Sequence, residues 1–149
     1  MIQIVPLKDA DIDIVLTIEK RCFPNDPWPR ISFEEELHNP LSRFFVLSDT
    51  ETGAILGYGG VWLMYDAGNV TNLAVCPDCR RRGLGKRLLT KLIDVCIEEN
   101  MASITLEVRR SNTAARALYA SMGFTVQGMR KQYYKDREDA VIMTKDLSR

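Results

Sequence analysis

The stretch from Val75 to Asn100 constrains the fold more than any other part of the chain. Val75-Cys76-Pro77-Asp78-Cys79-Arg80-Arg81-Arg82-Gly83-Leu84-Gly85-Lys86 leaves a β-rich run, passes a basic, glycine-containing turn and enters a helix. Over residues 84–100 the apolar side chains Leu84, Leu88, Leu89, Leu92, Ile93 and Cys96 share one helical face, while Lys86, Lys91, Asp94 and Glu98 fall largely elsewhere. A strand followed by a one-sided helix needs a sheet face to cover that apolar stripe. The turn itself points to an anion. A helix start offers unpaired N–H groups and the positive end of a dipole, and glycines at 83 and 85 let a phosphate reach the backbone with no Cβ in the way. Amides arranged in this way form a concave nest suited to a pyrophosphate. Arginines at a helix start oppose the dipole, so a merely solvated charge run explains them less well. The G-x-G-x-x-G spacing and the Walker pattern are both absent, which leaves a diphosphate-bearing cofactor.

The rest of the chain supplies the sheet. Residues 2–5 read as a strand, and Ile12, Val15, Leu16 and Ile18 keep helical spacing behind an acidic start at Asp9 or Asp11. Pro24, Pro27 and Pro29 then deny regular structure to a loop carrying Trp28, and Ser32-x-x-Glu35 reads as a capping box opening a short helix through Leu37. Residues 44–48 and 55–63 are β-rich and joined by a hairpin loop at 49–53; a third run, 70–75, follows turn residues 66–69. These three are expected to pair antiparallel. A strand at 104–108, a helix at 113–122 stopped by Gly123, and closing strands at 124–126 and 141–144 complete the order β α α β β β α β α β β. The expectation is one α/β domain over residues 1–149, with a central mixed, mostly antiparallel sheet flanked by helices.

Composition narrows the function classes. Twenty Lys+Arg balance twenty Asp+Glu, which argues against bulk electrostatic binding to nucleic acid or to an anionic membrane. The longest apolar candidate, residues 55–65, is too short to cross a bilayer and is broken by three glycines. The first residues lack the basic and apolar regions of a signal peptide, so the expected address is the cytoplasm, where Cys22, Cys76, Cys79 and Cys96 stay as thiols. Cys76-x-x-Cys79 has no second C-x-x-C and only His38 to help it, so no metal is expected; the helix begins too late for a thioredoxin-like motif.

Two further residues carry possible chemistry. In Leu106-Glu107-Val108-Arg109, alternation sends Thr105, Glu107 and Arg109 to one face of a strand, so Glu107 is either paired with a nearby arginine or a base in a cleft. Tyr119 lies on a helix whose apolar face could simply hold a core tyrosine.

Taken together these segments resemble the GNAT superfamily of acetyl-CoA-dependent N-acetyltransferases. The resemblance rests on Arg80 to Gly85 as R-x-x-G-x-G, and on Ser111-Asn112-Thr113-Ala114-Ala115-Arg116-Ala117-Leu118-Tyr119 followed by Met122-Gly123-Phe124. Thr71-Asn72-Leu73-Ala74-Val75, Leu106-Glu107-Val108-Arg109, Arg130-Lys131-Gln132-Tyr133-Tyr134 and Glu138-Asp139-Ala140 are similar to the RimI-type ribosomal-protein alanine N-acetyltransferases. The resemblance covers nearly the whole chain and implies the GNAT acyl-CoA N-acyltransferase fold.

It also implies a division of labour. The backbone of Leu73, Ala74 and Val75 would hold acetyl and pantetheine along a splayed strand, with an amide polarising the thioester carbonyl. Arg81, Arg82, Gly83, Leu84, Gly85 and Lys86 would cradle the pyrophosphate of acetyl-CoA. Asn112 would bond the pantetheine arm, or else cap its own helix. Glu107 would be the general base and Tyr119 the acid. The acceptor implied is the N-terminal alanine α-amine of small ribosomal subunit protein eighteen, reached by direct transfer. Its basic tail would lie between the Pro27-Trp28 loop and Tyr133-Tyr134, with Glu34, Glu35 and Glu36 available to it, so neither nucleic acid nor membrane is an expected partner. Lysine side chains or small-molecule amines are the alternative acceptors, and a catalytically silent CoA-binding module is the alternative class. Cys79 and Gln132 depart from the family pattern, where an aromatic residue and an asparagine are common.

Overall fold

A computed structural model describes residues 1–148. Seven strands form one sheet in the order β1-β2-β3-β4-β5-β7-β6. They are β1 (Ile2–Pro6), β2 (Ser42–Asp49), β3 (Ile55–Met64), β4 (Ala67–Val75), β5 (Ser103–Arg109), β6 (Thr125–Arg130) and β7 (Ala140–Asp146). Four helices cover it: α1 (Ile12–Cys22), α2 (Arg30–His38), α3 (Leu84–Glu98) and α4 (Thr113–Ser121). The expected element order and the antiparallel pairing of β2, β3 and β4 are both present.

Alternation along the strands builds two cores. On one face Ile12, Val15 and Ile18 of α1 and Phe33 of α2 pack on Phe44, Val46, Tyr58 and Ala74. On the other, Leu89, Leu92 and Cys96 of α3 pack on Val61, Ile104, Leu106 and Val141, joined by Tyr119 from α4. Phe44 and Phe45 thus point to opposite layers, as a strand buried on both faces requires. The approach of α3 is close: a Cβ on Gly68 would overlap the Cys96 Sγ.

Every neighbouring pair is antiparallel except β4 and β5. Those two run parallel, and their pairing ends after Ala67↔Ser103, Gly68↔Ile104 and Asn69↔Thr105. Beyond Asn69 the sheet opens into a V, with β4 held only by β3. On that side the register slips, Val61 facing Val70 while Gly60 faces Asn72, so Thr71 is an extra residue in a bulge.

Two local expectations are corrected. The second helix starts at Arg30 behind an extended Pro29, with the Ser32 N–H donating to the Pro29 carbonyl at 3.0 Å, so Ser32 is inside the helix and forms no capping box. Proline fits a helix start because its fixed φ is already suitable and no N–H is lost. Glu36 is also not free for a ligand: it is buried and accepts both 2.8 and 3.1 Å contacts from Trp62 Nε1.

Candidate active site

The open V is where the sequence-expected residues gather. Thr105, Glu107 and Arg109 occupy the β5 face opposite Ile104, Leu106 and Val108, and therefore look toward the α1/α2 layer. Leu73 and Val75 pack toward α3, while Ala74 joins the α1/α2 core. Residues 73–75 pair with Gly59, Tyr58 and Gly57 of β3. Their opposite edge faces the gap, which supplies unpaired backbone amides and carbonyls for a ligand of strand-like shape.

The turn after β4 prepares an anion site. Arg81 has φ 66° and Gly83 φ 75°, both in the left-handed region, and Gly83 caps α3 with backbone only. A Cβ on Gly83 would meet nothing within 4 Å, so glycine here serves conformation and open approach rather than packing. Among the described residues no side chain caps this helix, and the first N–H to find an intrahelical carbonyl is that of Arg87, on Gly83 O at 3.2 Å. The N–H groups of Leu84, Gly85 and Lys86 are therefore offered outward. A Cβ on Gly85 would lie 3.8 Å from Val75 and 4.0 Å from Leu118, so the start of α3 meets the end of β4 and the middle of α4. Among the described residues Arg81, Arg82 and Lys86 form no ion pair, whereas Arg80 is turned to the Cys22 Sγ at 3.4 Å. The splayed edge, the bare helix start and the two glycines fit a pantetheine arm and pyrophosphate.

Glu107 is half-buried and its Oε1 accepts from Arg130 Nε at 2.9 Å. Spacing alone left pairing and base as alternatives; the pairing with Arg130 is present. Tyr133, whose ring stands 5.5 Å from the Arg130 guanidinium, has its phenol pKa raised first by burial and then by the Glu107 carboxylate beside it. Tyr119 lies on the opposite, α3 side, packed 6.2 Å from Phe124, and burial pushes its phenol up to about 12. A group so shifted stays protonated through neutral pH, so its O–H is present to donate. Asn112 caps α4, its Oδ1 accepting from the Ala115 N–H at 3.1 Å, which leaves its amide NH2 for other partners.

A cavity of about 290 Å³ lies between the Cys22–Asp26 segment and Arg109, Asp136 and Glu138. Arg109 donates to Asp136 at 2.8 Å and Glu138 at 3.0 Å, and stacks 4.1 Å over Tyr134. Hydrogen bonds from Ser111, then Arg109, hold the Glu138 carboxyl below its usual range. Lys135 reaches across to Asp26 at 3.2 Å, joining the two walls. Trp28 does not project into this space as a free side chain: its ring packs 5.2 Å from Phe33, and its backbone N–H donates to the buried Glu19 at 2.9 Å. The pairing of Arg130 with Glu107, and the meeting of Asp26 with Asp136 and Glu138 at one cavity, could not be read from sequence, because each joins segments far apart in the chain.

Comparison with known proteins agrees with this geometry. Residues 12–124 match the acetyltransferase (GNAT) family. The chain is 36% identical over 145 residues to the ribosomal protein bS18-alanine N-acetyltransferase of Escherichia coli (strain K12), covering 95% of each protein. It is 34% identical over 149 residues to the N-alpha-acetyltransferase RimI of Mycobacterium tuberculosis, covering 94% of this chain and 89% of that one. The crystal structure of the Escherichia coli ribosomal-protein-S18-alanine N-acetyltransferase superposes with a TM-score of 0.90, covering 100% of this chain and 96% of that chain. The chain therefore belongs to the GNAT acetyltransferase family and is an acetyl-CoA-dependent N-acetyltransferase.

Proposed function

We propose that this chain moves acetyl from acetyl-CoA to the N-terminal alanine α-amine of small ribosomal subunit protein eighteen, by direct transfer. The observation that carries this reading is the gap between β4 and β5, with Glu107 on its α1/α2 side and Tyr119 and the bare start of α3 on the other. Backbone groups of Leu73 and Val75 line the thioester, those of Ala74 being turned to Tyr58 of β3, and the start of α3 receives the pyrophosphate. The neutral amine forms an N–C bond at the thioester carbonyl carbon, the C–S bond breaks, and the amine proton passes to Glu107 directly or through one water. The departing thiolate takes a proton from Tyr119, whose phenolate is reprotonated from solvent. A phenol near 12 gives up its proton only to a comparably basic group, and the burial that raises the phenol also raises a thiolate beside it.

An α-amine suits this site. Its reference pKa near 8 makes deprotonation far less costly than that of a lysine near 10.4. The cavity presents Asp26, Asp136 and Glu138 against Arg109 and the Lys135 that pairs with Asp26, an excess of one negative charge that favours a basic tail over an acidic one. The test pairs a basic peptide beginning with alanine against the same peptide with a blocked N-terminus and free lysines, with products mapped by mass spectrometry. Acetyl on the alanine α-amine is expected. Acetyl on lysine alone assigns a side-chain acetyltransferase, and no CoA release with any amine assigns a CoA-binding module.

A further inference from the structure

The attacking nitrogen presents a geometric problem that one base does not solve. Its lone pair must point at the thioester carbonyl, which fixes where its N–H bonds point, and each of those needs an acceptor in a place that water cannot freely fill. Glu107 can meet one of them from β5. The opposite wall of the V is β4, and what it offers is set by the bulge at Thr71.

Asn69 stands level with Thr105, and parallel partners share a face. Two residues along β5 that face returns at Glu107. On β4 an unbroken strand would return it at Thr71, but the extra residue delays alternation by one, and Asn72 takes the position. Its face is fixed independently. Asn72 pairs with Gly60, whose Cβ would run into the Phe44 ring of the α1/α2 core, and Ala74, two residues on, belongs to that core. Asn72 and Glu107 therefore stand across the opening from one another, on the same side of the sheet.

Asn72 is only 9% exposed, and its Oδ1 has no hydrogen-bond partner among the described residues. A buried amide oxygen without a donor costs stability, and an apolar side chain of the same shape would avoid that cost. Gly60 across the ladder provides no side chain to satisfy it, and the β5 side is open. The missing donor belongs to something that enters the V from the acceptor side.

We infer that the Asn72 Oδ1 accepts an N–H of the attacking amine and, with Glu107, aims its lone pair at the thioester carbonyl. The amine nitrogen sits between the two strands, one N–H on the β4 amide oxygen and the departing proton toward the β5 carboxylate. Asn72 takes no proton; it orients. This rests on the proposed amine transfer but not on which amine is used, because every primary amine presents the same N–H bonds.

Asn72→Leu keeps the side-chain shape and removes the oxygen. With the wild-type enzyme's best acceptor from a panel of N-terminal, lysine and polyamine amines, kcat/KM for the acceptor is expected to fall about 100-fold, the cost of a misaimed nucleophile. The KM for acetyl-CoA stays unchanged, and the melting temperature stays level or rises because an unpaired polar atom has gone. Asn72→Asp retains an oxygen in place and recovers most of the loss. Wild-type kcat/KM in Asn72→Leu overturns the assignment, as does a loss accompanied by a matching fall in melting temperature or acetyl-CoA affinity. Where the aspartate variant does not fold, the leucine variant alone decides. The choice of acceptor by the wild-type enzyme judges the proposed substrate separately.

Discussion

Glu107 is held by Arg130 at 2.9 Å, so its carboxylate is fixed in direction before any acceptor arrives. Glu107→Gln preserves shape and loses the proton acceptor; turnover is expected to fall by roughly 100-fold or more, with acetyl-CoA affinity by calorimetry unchanged. An undiminished rate across pH would return Glu107 to a purely structural ion pair. Tyr119→Phe is expected to slow transfer while leaving acceptor binding intact. Since the phenol titrates only near 12, the wild-type rate should show no alkaline fall from Tyr119 at lower pH. Steady-state rates from neutral pH upward check both statements. At this scale the sequence was informative where a residue acts through its own neighbours. Asn112 caps a helix that begins beside it, and the alternative was open from spacing. Glu107's face followed from alternation, but Arg130 lies 23 residues away and reaches it only because β6 and β5 flank β7. Asn72 could not be read as a site residue, since its side of the sheet depends on a bulge that propensity and spacing do not reveal.

At the scale of elements, α3 against β4 is the contact that supports the glycine-containing turn between them. Gly68 owes its place to Cys96, which is fully buried and would overlap any Cβ there. Gly68→Ala is expected to destabilise by about 1–3 kcal/mol through overpacking. Adding Cys96→Ala removes the obstructing sulfur and should restore part of that loss. Denaturant melts of the single and double variants measure it, and a double variant no better than the sum of the singles would place the strain elsewhere. The helix itself was legible, because a one-sided apolar stripe of that length has few other solutions. The start of α2 was not. The Ser32-x-x-Glu35 pattern fits a capping box, but Pro29 precedes it and starts the helix sooner, which turns Glu36 inward to Trp62.

For the whole molecule, the succession of elements along the chain was expected, whereas the placing of β7 between β5 and β6 and the extent of the β4–β5 pairing were not, because no local pattern says which distant strands meet or where two strands part. One buried group makes stability depend on pH. Glu19 is 2% exposed and accepts from Tyr58 Oη and from the backbone N–H of Trp28, beneath the loop that borders the cavity at Arg109, Asp136 and Glu138. Burial, the largest influence, raises its pKa above 4.5. A raised carboxylate binds its proton more tightly folded than unfolded, so its contribution is fully present below the unfolded value and is lost as pH rises through the folded one. Glu19→Gln cannot titrate. The melting temperature of Glu19→Gln relative to wild type should therefore climb as pH is raised from about 4 to 8, where about 1 kcal/mol corresponds to roughly 2–4 °C in a chain of this size. A difference that stays constant with pH would mean that Glu19 does not titrate in this range.

The extra residue at Thr71 also makes the molecule unequal in its tolerance of changes in chain length. The exposed hairpin at residues 50–54 can gain or lose a residue at the surface, at modest entropic cost. A deletion at Thr71 leaves every chemical group of the cleft in the chain and on its own face, but removes the bulge that bends β4. Without that bend β4 would continue beside β5 and close the opening, since Val61↔Val70 and Gly60↔Asn72 become successive pairs of a regular ladder. Lineages of this protein should therefore vary in length at the hairpin and keep a fixed count between Gly60 and Val75, even where the residues themselves are replaced.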